Sequence, residues 1–164
     1  MKDTYVLFID DELNILSSLV RGLMDEEYTC LFVDNGPDAL ELMETHEISV
    51  IVTDIRMPKM NGLQLLKKCK ENYPNIVIIV MSDYIYFTQI LSEINQGDIF
   101  RFIPKPWKLE DELKPAIKEA IEYYQLKIKE KNEQSSAELV KKMKCTKLLP
   151  KLRKQDFYIS NQNG

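Results

Sequence analysis

Apolar residues recur along the chain in two alternating rhythms. Tyr5-Val6-Leu7-Phe8-Ile9 is a short β-branched and aromatic run that stops abruptly at Asp10-Asp11-Glu12, which predicts a buried strand. From Leu13 the apolar positions Leu13, Leu16, Leu19, Val20 and Leu23 return at intervals of three and four, which predicts one face of a helix ending near Met24. The same alternation predicts strands at 28–33, 49–53, 76–80 and 99–103. It predicts helices at 37–45, 63–72 and about 85–96, and a long final helix from about Leu109.

Five strands, each followed by a helix, give a (βα)5 chain of the α/β class. Runs such as Val50-Ile51-Val52 and Ile76 to Val80 are apolar on both faces, as a parallel sheet covered by helices on both sides requires. Right-handed crossovers leave the doubly wound, flavodoxin-like order 2-1-3-4-5 as the expected topology, with an extended C-terminal helix. In such sheets ligands bind beyond the carboxyl ends of the strands. Asp10 and Asp11 follow the first strand there, Asp54 the third, Ser82 the fourth and Lys105 the fifth.

Three carboxylates within a few Å repel by roughly 4 kcal/mol per pair at an effective dielectric of 20, so they must take up protons or share a cation. Few oxygen ligands, with water completing an octahedron, suit Mg²⁺ better than zinc or calcium. Lys105 offers a point charge for a phosphate, and Ser82 a hydroxyl for the same anion. Together these groups describe a site where a carboxylate accepts a phosphoryl group. Each has a plainer reading too: Asp10-Asp11 as an acidic helix start, Ser82 as a cap, Lys105 as a surface lysine.

The residues that carry this chemistry resemble the receiver domain of two-component response regulators. They are Phe8-Ile9-Asp10-Asp11-Glu12, Asp54-Ile55-Arg56-Met57-Pro58-Lys59-Met60-Asn61-Gly62-Leu63, Met81-Ser82, and Phe102-Ile103-Pro104-Lys105-Pro106-Trp107, and the resemblance covers residues 4 to 125. It implies that Asp54 accepts the phosphoryl group, helped by Lys105 and Ser82. Asp10, Asp11, Asp54 and the backbone carbonyl of Arg56 would hold Mg²⁺. Ser82 and Phe102 would form the switch, Phe102 being equally readable as a plain core residue. A cis Lys105-Pro106 bond, and a backbone at Gly62 that needs freedom, are expected on the same ground.

The implied function is a switch rather than an enzyme with a separate substrate. A sensor histidine kinase or phosphotransfer protein would phosphorylate Asp54, and the chain would catalyse only its own phosphorylation and dephosphorylation. The alternative is a degenerate receiver that binds proteins independently of phosphorylation. A Mg²⁺-dependent phosphohydrolase would want D-x-D where the chain has Asp10-Asp11-Glu12.

Three departures from the family pattern stand out, at four positions. Asp83 puts bulk and charge after the hydroxyl residue; Arg56 and Tyr84 are expected to flank the path of an attacking water and slow hydrolysis; Pro115 should kink the last helix or delay its start.

Composition is that of an ordinary globular protein, with 45% hydrophobic and 29% charged residues among 164. The longest wholly apolar run, Ile76 to Met81, is six residues, too short for a membrane span, which needs about 20. Met1-Lys2-Asp3-Thr4 lacks a signal-peptide pattern, so the expected location is the cytoplasm. Cys30, Cys69 and Cys145 fit reduced thiols rather than a disulfide or zinc framework, and His46 an ordinary surface residue.

The formal charge of −4 divides unevenly. Residues 1–107 hold 9 Lys+Arg against 17 Asp+Glu, net −8; residues 108–164 hold 13 against 9, net +4. The resemblance implies a receiver at 1–125, and the remainder, 126–164, is expected to be a partly disordered helical extension or linker. The apolar stripe of Leu109, Leu113, Ile117, Ala120, Tyr124 and Ile128 lapses at 129–136 and resumes weakly at Ala137, Val140 and Met143, which favours a linker over a coiled coil. Homodimerisation through the last helices is the second role. The basic residues Lys141, Lys142, Lys144, Lys147, Lys151, Arg153 and Lys154 lie outside the receiver, which itself is not expected to bind nucleic acid.

Overall fold

A computed structural model describes residues 3–145. Strands β1 (Tyr5–Ile9), β2 (Thr29–Val33), β3 (Ile48–Thr53), β4 (Val77–Ser82) and β5 (Arg101–Pro104) form one parallel sheet in the order β2-β1-β3-β4-β5. Helices α1 (Leu13–Gly22), α2 (Gly36–Thr45), α3 (Gly62–Asn72), α4 (Phe87–Glu93) and α5 (Lys114–Cys145) alternate with them. This is the doubly wound topology that the periodicity predicts.

The pleat sorts the strand residues between two cores. Val6 and Phe8 of β1, Val50 and Val52 of β3, and Val77, Ile79 and Met81 of β4 pack with Leu16 and Leu19 of α1 and Ala116, Ile117 and Ala120 of α5. The intervening residues Leu7, Ile9, Ile51, Ile78 and Val80 face the other way, onto Met43 of α2, Leu65 and Cys69 of α3, and Ile90 of α4. Every residue of β3 and β4 is buried.

Element ends differ from the sequence expectation where single residues override periodicity. The fourth helix begins late, at Phe87, because a 3-10 turn, Tyr84–Tyr86, comes first, and it stops at Glu93. A second 3-10 turn, Gln96–Asp98, delays β5 to Arg101. Pro115 is the second residue of α5, and the π-helical turn Leu109–Leu113 runs straight into it, with Lys114 N–H bonded to the Leu109 carbonyl, so regular α geometry begins only at Lys114, where the proline lacks an N–H to continue the ladder. That is the late start expected of this proline.

By compactness the chain divides after Leu126. The helix α5 runs through that boundary to Cys145. Lys147, Lys151, Arg153 and Lys154 of the basic stretch lie outside the described residues, as does the side chain of Cys145. Cys30 and Cys69 are free thiols. His46 is half-buried rather than freely exposed, with its ring edge-on to Tyr5 at 5.2 Å. Among the described residues, no helix is long and apolar enough to cross a membrane.

Candidate phosphoryl-acceptor site

The parallel register brings the strand ends together. Pairing of Ile9 with Thr53 places Asp10 beside Asp54, and pairing of Ser82 with Pro104 brings Lys105 to the same edge. Backbone bonds continue past the strands, from Asp54 N–H to the Ile9 carbonyl at 3.0 Å and from Lys105 N–H to the Ser82 carbonyl at 2.9 Å. The Lys105-Pro106 peptide is cis, as the resemblance implies.

At the centre, Lys105 Nζ donates to Asp54 Oδ2 at 2.7 Å and to Asp10 Oδ2 at 3.0 Å, and lies 3.4 Å from Glu12 Oε1. Asp10 is fully buried, Asp54 is 5% exposed and Ser82 is 1% exposed. Burial raises the pKa of Asp10, partly offset by the Glu12 backbone N–H and by Lys105. Burial also works against the charge on Lys105, but hydrogen bonds to Asp54 and Asp10 outweigh it and hold the ammonium above its ordinary range.

The carboxylate oxygens of Asp10, Glu12 and Asp54 lie within 4.8 Å of one another. With Lys105 as their only cation in contact among the described residues, the group carries net charge −2. All the donors are hard oxygens, so the cluster fits a divalent ion such as Mg²⁺. Asp11, which the resemblance implies as a ligand, is exposed and outside this cluster, and Glu12 stands in it instead. Asp11 does line the adjoining cavity of about 580 Å³, together with Glu12, Asp54, Arg56, Asp83, Tyr86 and Gln89.

The loop between β3 and α3 shapes this cavity. Arg56 N–H donates to Asp54 Oδ1 at 3.2 Å. Lys59 adopts φ 68°, and Met60 N–H closes a turn on the Pro58 carbonyl at 2.8 Å, a γ-turn in the left-handed region. Asn61 then caps α3 through a reciprocal pair of bonds with Gln64. Gly62 serves a different need from the one expected. Its φ is not positive, but a Cβ there would lie 2.4 Å from the Asp54 carbonyl oxygen and 2.7 Å from Ile55 Cα. Glycine is required for close approach to the Asp54–Ile55 backbone.

Two other positions differ from the sequence reading. Tyr84 does not join Arg56. It is 70% exposed and stacks on Phe87 at 5.8 Å. The 3-10 turn carries Tyr86 to the cavity instead, where the Arg56 guanidinium donates to its hydroxyl and lies 5.0 Å from its ring centroid. Neither the role of Glu12 nor that of Tyr86 shows in local sequence, although the unbroken acidic run 10–12 hints at the first. Phe102 is half-buried, its ring 5.0 Å from that of Phe87.

The family model for the response regulator receiver domain matches residues 6–118. The hydrogenase transcriptional regulatory protein HoxA of Cupriavidus necator is 37% identical over 121 residues, 74% of this chain and 25% of that protein. The DNA-binding transcriptional regulator NtrC of Escherichia coli is 34% identical over 125 residues, 76% of this chain and 26% of that protein. The chain thus spans about a quarter of the length of these relatives. The signal receiver domain of an HD domain-containing protein from Pseudomonas fluorescens superposes with TM-score 0.73 at 27% identity, covering 79% of this chain and 94% of that one. A response regulator receiver domain protein from Clostridium thermocellum gives 0.67 at 27%, covering 75% and 98%.

Proposed function

The chain belongs to the response regulator receiver family, and on that premise we propose that Asp54 accepts a phosphoryl group from a partner histidine kinase or phosphotransfer protein. A carboxylate oxygen of Asp54 attacks phosphorus, the P–N bond of the donor phosphohistidine breaks, and its electron pair leaves with the imidazole. The observation that carries this reading is the Lys105 ammonium held between Asp54 and Asp10 at a buried edge.

Lys105 neutralises charge on the transferring oxygens, and Ser82 donates its hydroxyl to them once the group is in place. Asp10, Asp11 and Asp54, with the Arg56 carbonyl and with Glu12 close by, are the residues to hold Mg²⁺. When bound, the ion would neutralise the carboxylates and the charge that develops in transfer. The chain then catalyses only its own phosphorylation and the hydrolysis that ends it. Ser82 and Phe102 form the switch, biasing the α4–β5 face. A change from 1:99 to 99:1 between states needs about 5.5 kcal/mol of differential stabilisation.

Residues 1–125 are the receiver in this reading, and 126–164 the arm that carries the signal onward or meets a second copy. A donor loaded from ATP places this exchange in the cytoplasm. Incubation with acetyl phosphate and Mg²⁺, read by intact mass, tests the reading. One phosphoryl group should be gained by the protein and none by Asp54→Asn; equal gain by both would refute it.

A further inference from the structure

Arg56 is the unusual group at this edge. It lines the cavity with four carboxylates, those of Asp11, Glu12, Asp54 and Asp83, yet its guanidinium makes no ion pair among the described residues. It is held instead by a neutral partner, donating to the Tyr86 hydroxyl with the ring 5.0 Å away. Its own backbone N–H is bonded to Asp54 Oδ1 at 3.2 Å, so the side chain is rooted beside the acceptor. Arg56 is exposed and Tyr86 half-buried, so the guanidinium is free to change partner without opening the core.

We propose that Tyr86 holds Arg56 in reserve, and that the guanidinium transfers from the tyrosine to the phosphoryl oxygens once Asp54 is phosphorylated. The inference rests on Asp54 being the acceptor. A neutral hydroxyl is a weaker acceptor than a phosphoryl dianion, and the planar guanidinium fork matches two phosphoryl oxygens at once. The phosphoryl group adds negative charge to a cluster already at net −2, and Lys105 is its only cation in contact among the described residues. Arg56 is the cation within the same cavity that no acid has engaged.

The exchange also has a route outward. Tyr86 ends the turn whose next residue, Phe87, packs against both Tyr84 and Phe102. Departure of Arg56 from Tyr86 therefore releases the segment that carries the Phe87 ring, by a path separate from Ser82. Arg56 contacts the reacting group in this scheme, and Tyr86 is a positioning residue acting through it.

The test is the lifetime of the acetyl-phosphate-derived label in the whole chain. It compares wild type, Tyr86→Phe, Arg56→Ala and Arg56→Lys with the double variant Tyr86→Phe/Arg56→Ala, and melting confirms the fold of each. Tyr86→Phe removes the hydroxyl that accepts from the guanidinium, leaving only the ring contact, and should lengthen the lifetime by about threefold or more. Arg56→Ala should shorten it, Arg56→Lys should recover part of the loss, and Tyr86→Phe should have no effect on the Arg56→Ala background. A Tyr86→Phe effect of equal size on both backgrounds, or no effect on either, overturns the proposal while leaving Asp54 as acceptor. Absence of label on the wild type refutes the acceptor reading and this inference with it. Variants that fail to fold are replaced by Tyr86→Leu and Arg56→Gln, judged by the same non-additivity.

Discussion

The ammonium of Lys105 lies 2.7 Å from the carboxylate of Asp54, although 51 residues separate them in sequence. Parallel pairing of β1, β3, β4 and β5 makes that contact, and the same nitrogen reaches Asp10 at 3.0 Å. Lys105 is thus counter-ion to the acids and, in the proposed function, the cation for a transferred phosphoryl group.

Removing it should separate those two roles. Lys105→Ala takes away a cation that competes for the acidic cluster, so Mg²⁺ affinity measured by titration calorimetry should rise. Phosphoryl uptake from acetyl phosphate should fall by about 100-fold, the typical cost of losing one preorganised charge partner. Weaker Mg²⁺ binding together with undiminished uptake would contradict the assignment.

Gly62 should tolerate no side chain. The Cβ of Gly62→Ala would collide with the Asp54–Ile55 peptide, at the Asp54 carbonyl oxygen and Ile55 Cα, and backbone cannot rotate away. We expect a loss of about 1–3 kcal/mol in urea unfolding, with slower labelling of Asp54 because the loop that carries it must shift. A variant of unchanged stability would show that the loop has slack.

Lys59 is the complementary case. At φ 68° a lysine is strained and a glycine is not, and the residue is exposed. Lys59→Gly should therefore be neutral or stabilising, by up to about 1 kcal/mol, whereas Lys59→Val should destabilise by a similar or larger amount. Thermal melts of the two variants decide it.

Stability should fall on the alkaline side. Burial pushes the Cys69 thiol up from 9.0 to about 12 and Cys30 to about 11. Above pH 9 the unfolded chain loses these protons while the folded one keeps them, so the unfolded state binds fewer and unfolding becomes easier as pH rises. The stabilisation is complete below about pH 9 and is lost as pH climbs toward about 12. Cys69, fully buried, should contribute a slope of up to about 1.4 kcal/mol per pH unit there. Cys69→Ala should flatten the urea-midpoint profile between pH 9 and 11, and an unchanged slope would contradict the burial argument.

Much of this was legible beforehand, for physical reasons that explain the exceptions. Val50-Ile51-Val52 and Ile76 to Val80 announce buried parallel strands because both faces must be apolar, and strand ends then locate Asp10, Asp54, Ser82 and Lys105. Loop geometry was not legible. The one-turn 3-10 segment at 84–86 rotates Tyr86 rather than Tyr84 toward Arg56, and no periodicity encodes a three-residue turn. Glu12 joins the cluster because its side chain reaches Lys105, a contact across 93 residues. Gly62 signalled a special backbone, but close approach and left-handed φ look alike in sequence, and only geometry separates them.

The central claim is that Asp54 is the residue that carries the phosphoryl group. Borohydride reduction of the labelled protein, followed by peptide mapping, reads this directly, because an aspartyl phosphate is reduced to homoserine at the carbon that bore it. The account predicts homoserine at position 54 in protein treated with acetyl phosphate and Mg²⁺, and none in untreated protein. Homoserine at 10, 11 or 83 with 54 intact would contradict it.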